Sequence, residues 1–239
     1  MINARAIEGL PEVHPGDDLA ALLAEHTEAG QVVVIAHKVV SKAEGRIRAL
    51  AGIEPGAEAE ALAAKLGKDP RHVQAVLDES LEIVRDERVL ICRTRHGFVC
   101  ANAGVDQSNA PADSVILLPA DPDASARALR AALPGRPAVV IADSFGRAWR
   151  LGQCDVAIGI AGLAPVDDWH GRVDRSGRRL HATAIAIADE AAAAADLARA
   201  GKDAGEPVVI VSGLERFVTD EDGPGAAALV RGRDDDLFL

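Results

Sequence analysis

The segment PAVVIADSFGRAWR, residues 137–150, is an apolar run of β-forming residues that stops abruptly in polar ones. A second segment, VCANAGVDQSN at residues 99–109, has the same character. An aspartate, Asp143 in the first and Asp106 in the second, stands where each apolar run ends. Functional sites are often built where strands open into loops, so we expect these two carboxylates to converge.

The residue types at these two breaks suit a hard metal ion. Asp106, Asp143 and the hydroxyl of Ser144 supply oxygen ligands of the kind that Mg²⁺ and Mn²⁺ prefer. The alternative is local structure alone, in which Asp106 closes an Asx-turn and Asp143 caps a helix.

Cationic side chains follow an earlier buried strand, QVVVIAHKVV at residues 31–40. Ser41, Lys42 and Arg46 come just beyond it and could bind a triphosphate by charge and by the fork of the guanidinium. On composition alone, Ser41 and Lys42 could instead be an exposed strand end. The chain contains neither a P-loop motif nor a Rossmann glycine motif.

Other polar residues carry weaker signals. Arg147 and Arg150 flank Trp149 and could hold an anionic substrate, or could form a solvated helix face. His37, His170 and His181 have no partner at metal-ligand spacing and are expected to be structural. The three cysteines form no Cys-x-x-Cys pair, so neither a disulfide scaffold nor a structural zinc site is expected, and Cys100 and Cys154 are expected to be packing groups.

Composition limits the class of protein. The 239 residues include only six aromatic ones, which argues against base stacking, and a net charge of −11 disfavours nucleic-acid binding. No signal-like N-terminus is present, and no apolar run approaches the roughly 20 residues that span a bilayer. We expect a cytoplasmic protein that acts on small molecules and binds neither nucleic acid nor membrane.

Strands and helices alternate without a regular βαβ repeat, which predicts an α+β fold with an irregular mixed sheet in a single domain, residues 1–239. The N-terminal helix should have Asp17 or Asp18 as its N-cap, and a hairpin should turn near His96 and Gly97. We also expect helix through residues 57–84 and 184–201.

Five blocks of the sequence, in order, resemble the coenzyme F420:L-glutamate ligase family. They are GLPEVHPGDDL, HKVVSKAEGR, RTRHGFVCANAGVDQSN, DSFGRAWRLGQCDVAIGIAG and ATAIAIADEAAAAADLARAGKDAGEPVVIVSG. The resemblance implies a GTP-dependent homodimeric ligase that needs Mn²⁺ or Mg²⁺. It would join L-glutamate to coenzyme F420-0 as a γ-glutamyl amide, through an acyl phosphate, and release GDP and phosphate.

The resemblance also assigns residues. Asp106, Asp143 and Ser144 would be metal ligands, with Ser144 where the family usually has Thr. Apart from the resemblance, we expect Gly104 to give the backbone room to approach the ligand, because glycine has no side chain. The nucleotide would be contacted by Leu10, Pro11, Glu12, Val13, Ser41, Lys42, Arg46, Asn109, Gly201, Lys202 and Asp203. The resemblance does not assign Arg147; from its chemistry we expect Arg147, with Arg150, to hold an anionic substrate and to complete the catalytic set with the two aspartates.

Two departures from the family pattern stand out. Lys202 aligns where some relatives have a Gln that reaches a second metal, and a protonated Lys cannot coordinate. Either the second metal site is altered or Lys202 contacts phosphate. Many bacterial relatives continue into a nitroreductase-like domain, which we do not expect here. The remaining alternatives are an amide ligase for another acid, or a regulator that binds nucleotide or metal without turnover.

Overall fold

The computed structural model describes residues 1–201 and 203–237. The strands are β1 Asn3–Ala6, β2 Val32–Ala36, β3 Ile47–Ala49, β4 Ser80–Arg85, β5 Ile91–Thr94, β6 Val99–Ala101, β7 Ser114–Ile116, β8 Ala138–Arg147, β9 Arg150–Ala161, β10 Asp167–Asp168, β11 Ala184–Ile185 and β12 Val208–Ser212. The helices are α1 Leu19–Leu23, α2 His37–Ala43, α3 Ala57–Leu66, α4 Pro70–Asp78, α5 Pro122–Ala132 and α6 Ile187–Ala198.

The largest sheet has five strands in the order β1-β12-β2-β8-β9. Strands β2 and β8 are parallel, and the other neighbours are antiparallel. Smaller sheets pair β4-β5-β6, β3-β7 and β10-β11. This open, mixed arrangement confirms the predicted α+β fold.

Apolar residues cover both faces of the large sheet. Along β2, Val33 and Ile35 join the cluster beneath α1 and α5, while Val32 and Val34 join the cluster beneath α6. Strand residues alternate between faces, so a central strand buried on both sides must be apolar throughout, as this one is. A third cluster packs α3 and α4 against the smaller sheets.

The predicted strand 31–40 is wrong beyond Ala36. The amide of Ala36 donates to the carbonyl of Pro207 at 2.8 Å, and the chain then turns into α2. Val40 is buried in the core, so tertiary packing overrides its β propensity. As a result, Ser41 and Lys42 lie buried on a helix and are not an exposed strand end.

The predicted helix 57–84 is also only partly correct. Helix α3 ends at Gly67, whose φ of +66° is left-handed, and Asp69 then caps α4 with Pro70 at its first position. The last residues form β4, which pairs with β5. The predicted helix 184–201 is shorter at both ends, because residues Ala184–Ile185 form β11 and α6 ends at Ala198.

Strand β8 continues through the polar break where the sequence predicted its end. Ser144 pairs with Asp155 and Phe145 pairs with Cys154, so the β8–β9 hairpin extends to Arg147. Asp143 therefore lies on a strand and does not cap a helix. The Asp18 N-cap is confirmed, and so is the turn at Gly97, whose amide donates to Thr94.

Candidate functional site

The parallel pairing of β2 and β8 brings two polar segments together at one end of the large sheet, where β2 ends. Ala36 pairs with Ala142, so the next residues, His37 and Asp143, lie side by side. The imidazole Nε2 of His37 is 3.3 Å from Oδ1 of Asp143. Binding sites are frequent at the carboxyl ends of parallel strands, and β2 ends here beside β8.

A cavity of about 510 Å³ opens at this end of the sheet. Most of the residues that the sequence assigned to metal or nucleotide line it, namely Leu10, Pro11, Glu12, Val13, Lys42, Asp106, Asn109, Asp143, Ser144, Gly201 and Asp203. Lys202 lies outside the described residues. The volume is in the range of ordinary small-molecule sites.

Asp106 is held by a lysine that the sequence analysis did not single out. Its Oδ1 accepts from the amide of Ser108 at 2.7 Å, its Oδ2 accepts from the Ser108 hydroxyl, and Lys38 Nζ lies 2.7 Å from Oδ2. Burial alone would raise the pKa of Asp106, but hydrogen bonds from Lys38 and Ser108 outweigh it and lower the pKa. The expected Asx-turn is present, and the carboxylate also lines the cavity.

Asp143 faces the buried ring of His37. Its Oδ1 also accepts from the amide of Ser144 at 2.8 Å. The ring of His37 is almost fully enclosed, its Nδ1 is 3.5 Å from the hydroxyl of Ser41, and its Nε2 makes no hydrogen bond within the described residues. A buried polar atom without a hydrogen bond beside a carboxylate is unusual and suggests that the native site contains a further group.

Ser144 belongs to a buried network on β8, β9 and the end of α6. Its hydroxyl donates to Oδ1 of Asp155 at 2.5 Å, and Arg199 Nη1 lies 2.5 Å from Oδ2 of the same carboxylate. Arg199 begins the loop that leads to β12, and the guanidinium also reaches the carbonyl of Pro207 at 3.5 Å.

The loop that carries residues 10–13 is tied to α2. Lys42 forms a short hydrogen-bonded ion pair with Glu12, and both side chains line the cavity. The two segments predicted to contact nucleotide are therefore adjacent, and a phosphate would compete with Glu12 for the ammonium of Lys42.

Three predicted site residues are engaged elsewhere. Ser41 is fully buried inside α2. Arg46 donates to the carbonyl of Leu118 and to Glu79, both at 2.9 Å. Arg147 is exposed at the end of the β8–β9 hairpin and donates to the carbonyl of Leu151. Their roles in phosphate or substrate binding stay predictions.

Glycine is needed at position 104 for a structural reason that the sequence did not indicate. Its φ is +73°, and a Cβ added there would lie 2.6 Å from Cγ of Leu118. The space above this glycine is therefore filled by a core side chain, which corrects the expectation that it makes room for a ligand.

His37, Lys38 and Asp155 are the site residues that sequence reasoning missed. The signal for His37 and Lys38 is that they directly follow an apolar strand, as Asp143 does; recognising it requires knowing that β2 and β8 are parallel neighbours. The signal for Asp155 is a carboxylate directly before the apolar run 156–161 of the same strand, since a buried carboxylate is rarely without a partner.

The donor atoms around the cavity fit a divalent cation that keeps other ligands. Among residues 1–201 and 203–237, no three His, Cys, Asp or Glu side chains are close enough to hold a metal by themselves. Mg²⁺ and Mn²⁺ commonly use one or two carboxylates together with water and substrate phosphates. Asp106 and Asp143, with the hydroxyl of Ser144, supply such a set of hard oxygens.

The fold and the site thus define an α+β protein with a cleft rich in carboxylates, whose oxygens suit a divalent cation. Comparison with known proteins identifies the family. The family described as F420-0:Gamma-glutamyl ligase matches residues 9–213. A coenzyme F420:L-glutamate ligase from Methanothermobacter thermautotrophicus is 44% identical over 249 residues, covering 99% of this chain and 98% of its own.

Two further relatives carry the same name. The protein from Halobacterium salinarum strain R1 is 44% identical across 99% of this chain and 95% of its own length. The protein from Methanopyrus kandleri is 46% identical across 97% of this chain and 96% of its own length. The chain belongs to the F420-0:gamma-glutamyl ligase family and is an enzyme of the ligase class.

Proposed function

We propose that this chain is a GTP- and divalent-metal-dependent ligase that forms a γ-glutamyl amide between L-glutamate and coenzyme F420-0. GDP and phosphate would be released, and the acid would be activated as an acyl phosphate. Family membership supports the ligase reaction, and the resemblance in the nucleotide and metal motifs supports the rest.

The observation that carries the proposal is the convergence of those motifs on one cavity. Residues 10–13, the α2 cation Lys42 and the carboxylates Asp106 and Asp143 are far apart in sequence, yet all line the same cleft. A site that transfers a phosphoryl group needs nucleotide and metal ligands together, because catalysis of this reaction depends on positioning and charge neutralisation.

The charge of the cleft explains why a metal would be needed. Among the described residues that line it, six side chains are acidic and three are lysine or arginine. The acidic ones are Glu12, Asp106, Asp143, Asp155, Asp203 and Glu206, and the basic ones are Lys38, Lys42 and Arg199. Such a surplus of carboxylates attracts cations and repels a free triphosphate, so a nucleotide would bind here together with a cation.

Asp106, Asp143 and Ser144 would hold the cation, which when bound would neutralise charge on the phosphates. Lys38 and Lys42 each have a carboxylate partner in the protein, Asp106 and Glu12, and would turn from it toward phosphate. The incoming amine must lose a proton as the amide forms.

The acceptor acid and the glutamate would bind beside the nucleotide, near the β8–β9 hairpin. Arg147 and Arg150 lie at its exposed end and would contact the anionic substrates. The same end carries Trp149 and Leu151, which are 84% and 96% exposed. Large apolar residues this exposed favour burial against another surface, which supports the expected homodimer.

The experiment that tests the proposal follows phosphate release from GTP with Mn²⁺ while product masses are recorded. Release is expected only when both F420-0 and L-glutamate are present, with a mass gain of one or more glutamyl units. Replacing GTP by ATP tests the nucleotide, and replacing L-glutamate by other amino acids tests the donor. Turnover with another acid or amino acid alone would reassign the substrate, and binding without turnover would indicate a regulator.

A further inference from the structure

Asp155 is a carboxylate buried inside a strand at the wall of the cavity. It is 2% exposed, and the side chain of Arg199 is 7% exposed. Its two oxygens are bound on different sides, Oδ1 by the hydroxyl of Ser144 and Oδ2 by Arg199. Burying two charges is unfavourable unless each is well paired, and an apolar pair of similar size often stabilises a fold as well. A role in the site would account for retaining the charges.

The direction of the hydrogen bond fixes the chemistry of Ser144. An ionised carboxylate can only accept, so the proton of the Ser144 hydroxyl must lie on the 2.5 Å line to Asp155. Ser144 is among the residues that line the cavity, and with its proton directed at Asp155 the hydroxyl oxygen can serve a further group there only as an acceptor. An acceptor oxygen suits a cation and not the oxygen of a phosphate.

Arg199 holds Asp155 in this orientation and connects it to the loop beyond α6. Its guanidinium binds Asp155 and approaches the carbonyl of Pro207, which also accepts from the amide of Ala36 at the end of β2. The carboxylate is therefore fixed relative to both β2 and the loop, and it cannot turn away from Ser144 without breaking these contacts.

We infer that Asp155, held by Arg199, is a positioning residue. By accepting the hydroxyl hydrogen bond of Ser144, it orients the hydroxyl oxygen of Ser144 toward a divalent cation. The inference rests on the proposed function, because it takes Ser144 as a cation ligand. It adds two residues, Asp155 and Arg199, that act on the cation through Ser144.

The test measures Mn²⁺ affinity without turnover, by the electron paramagnetic resonance signal of free Mn²⁺ in the presence of GDP. In Asp155→Asn the amide oxygen would turn to Arg199 and the NH₂ group would face Ser144, so the hydroxyl proton would point into the cavity. We expect Asp155→Asn and Ser144→Ala each to weaken Mn²⁺ binding about 10- to 100-fold. Ser144→Thr, which keeps the hydroxyl, should bind within about threefold of wild type.

The double variant separates positioning from structural support. If Asp155 acts through Ser144, Asp155→Asn in the Ser144→Ala background should change the affinity by less than about twofold. An equal loss in both backgrounds would overturn the inference, and so would wild-type affinity in either single variant.

A second variant, Arg199→Lys, tests the inference if Asp155→Asn fails to fold. If Asp155→Asn does not fold, Arg199→Lys is measured in both backgrounds, since Lys keeps the charge but cannot bind Asp155 and Pro207 together. Weaker binding only where Ser144 is present is expected; equal weakening in both backgrounds contradicts the inference. No Mn²⁺ binding by wild type would also overturn it. Normal Mn²⁺ binding without glutamylated product would refute the proposed function and leave the inference standing.

Discussion

Asp189 is a carboxylate in the first turn of α6, where its Oδ1 accepts from the amide of Ala157 on β9 at 2.9 Å. Burial raises its pKa, and the hydrogen bond only partly offsets this effect. The bond satisfies a backbone donor on the outer edge of the large sheet, since β9 is an edge strand.

Replacing Asp189 by Asn should flatten the pH dependence of stability. With a raised pKa the folded state binds more protons, so the free energy of unfolding falls as pH rises from the unfolded pKa of about 3.9 through the folded pKa. Asn keeps the acceptor for Ala157 without titrating. Urea unfolding from about pH 4 to pH 7 should show a smaller decline for Asp189→Asn, and Glu190→Gln in the same turn is the control. Identical slopes in wild type and Asp189→Asn would contradict this account.

The three cysteines should differ in reactivity. Cys92 and Cys100 face each other across β5 and β6, and burial raises the pKa of both thiols, that of Cys100 to about 12 with Asp143 and Cys92 adding to the effect. The thiolate is the reactive form, so a thiol reagent at about pH 8 should label native protein only at the partly exposed Cys154. All three should react after unfolding. Rapid native labelling of a second thiol would show that the β5–β6 region opens.

Arg147 is the residue whose predicted role is least supported by its contacts, so its replacement is informative. Arg147→Ala should raise KM for F420-0 or L-glutamate much more than KM for GTP, because the side chain would contact an anionic substrate. Loss of one charge-assisted contact corresponds to roughly a 10-fold change or more. Arg175→Ala, an exposed arginine on another loop, is the control. Equal changes in all three KM values, or none, would remove the assignment.

At the scale of elements, the turn before Asp106 depends on Gly104. Alanine there would combine a left-handed φ with overlap against Leu118, so Gly104→Ala should lower the free energy of unfolding by about 2 to 4 kcal/mol. Gly67→Ala is the matched control, because Gly67 has a similar φ of +66° but open space around its Cβ position. Gly67→Ala should lower the free energy of unfolding by only about 1 to 2 kcal/mol. Equal losses, measured by urea unfolding, would mean that Leu118 moves aside freely.

Elements with a strong local signal were predictable. The N-cap Asp18, the hairpin at Gly97 and the apolar strands β2 and β8 follow from capping, turn and burial patterns near each residue. Helix α2 was not predictable, because Val40 favours a strand locally and becomes helical by packing in the core. Strand β4 was missed for a related reason: its pairing with β5 is a long-range contact.

In the candidate site, too, residues with a local sequence signal were predictable and those that depend on long-range contacts were not. Asp106 and Asp143 were found because each interrupts an apolar run, which is visible in the sequence. His37 and Asp155 contact partners on β8, Asp143 and Ser144, and the strand register that brings them together is a property of the folded sheet. The pairing of Arg46 with Glu79 is likewise a tertiary contact.

At the scale of the whole molecule, both faces of the large sheet are covered, and the polar cleft opens at the edge where β2 and β8 meet α2 and the loop after α6. No helix among the described residues is long and apolar enough to cross a membrane. The acidic charge of the chain, −11, continues into the cleft itself, so cation binding is expected to precede or accompany binding of any anionic substrate.

The central claim is that this cleft holds the nucleotide and its metal. The most direct measurement is an anomalous difference map at the manganese edge from crystals grown with GDP and Mn²⁺. The account predicts a manganese peak between Asp106 and Asp143, with the GDP phosphates beside Lys42 and residues 10–13. Manganese and GDP bound together elsewhere on the protein, with this cleft empty, would contradict it.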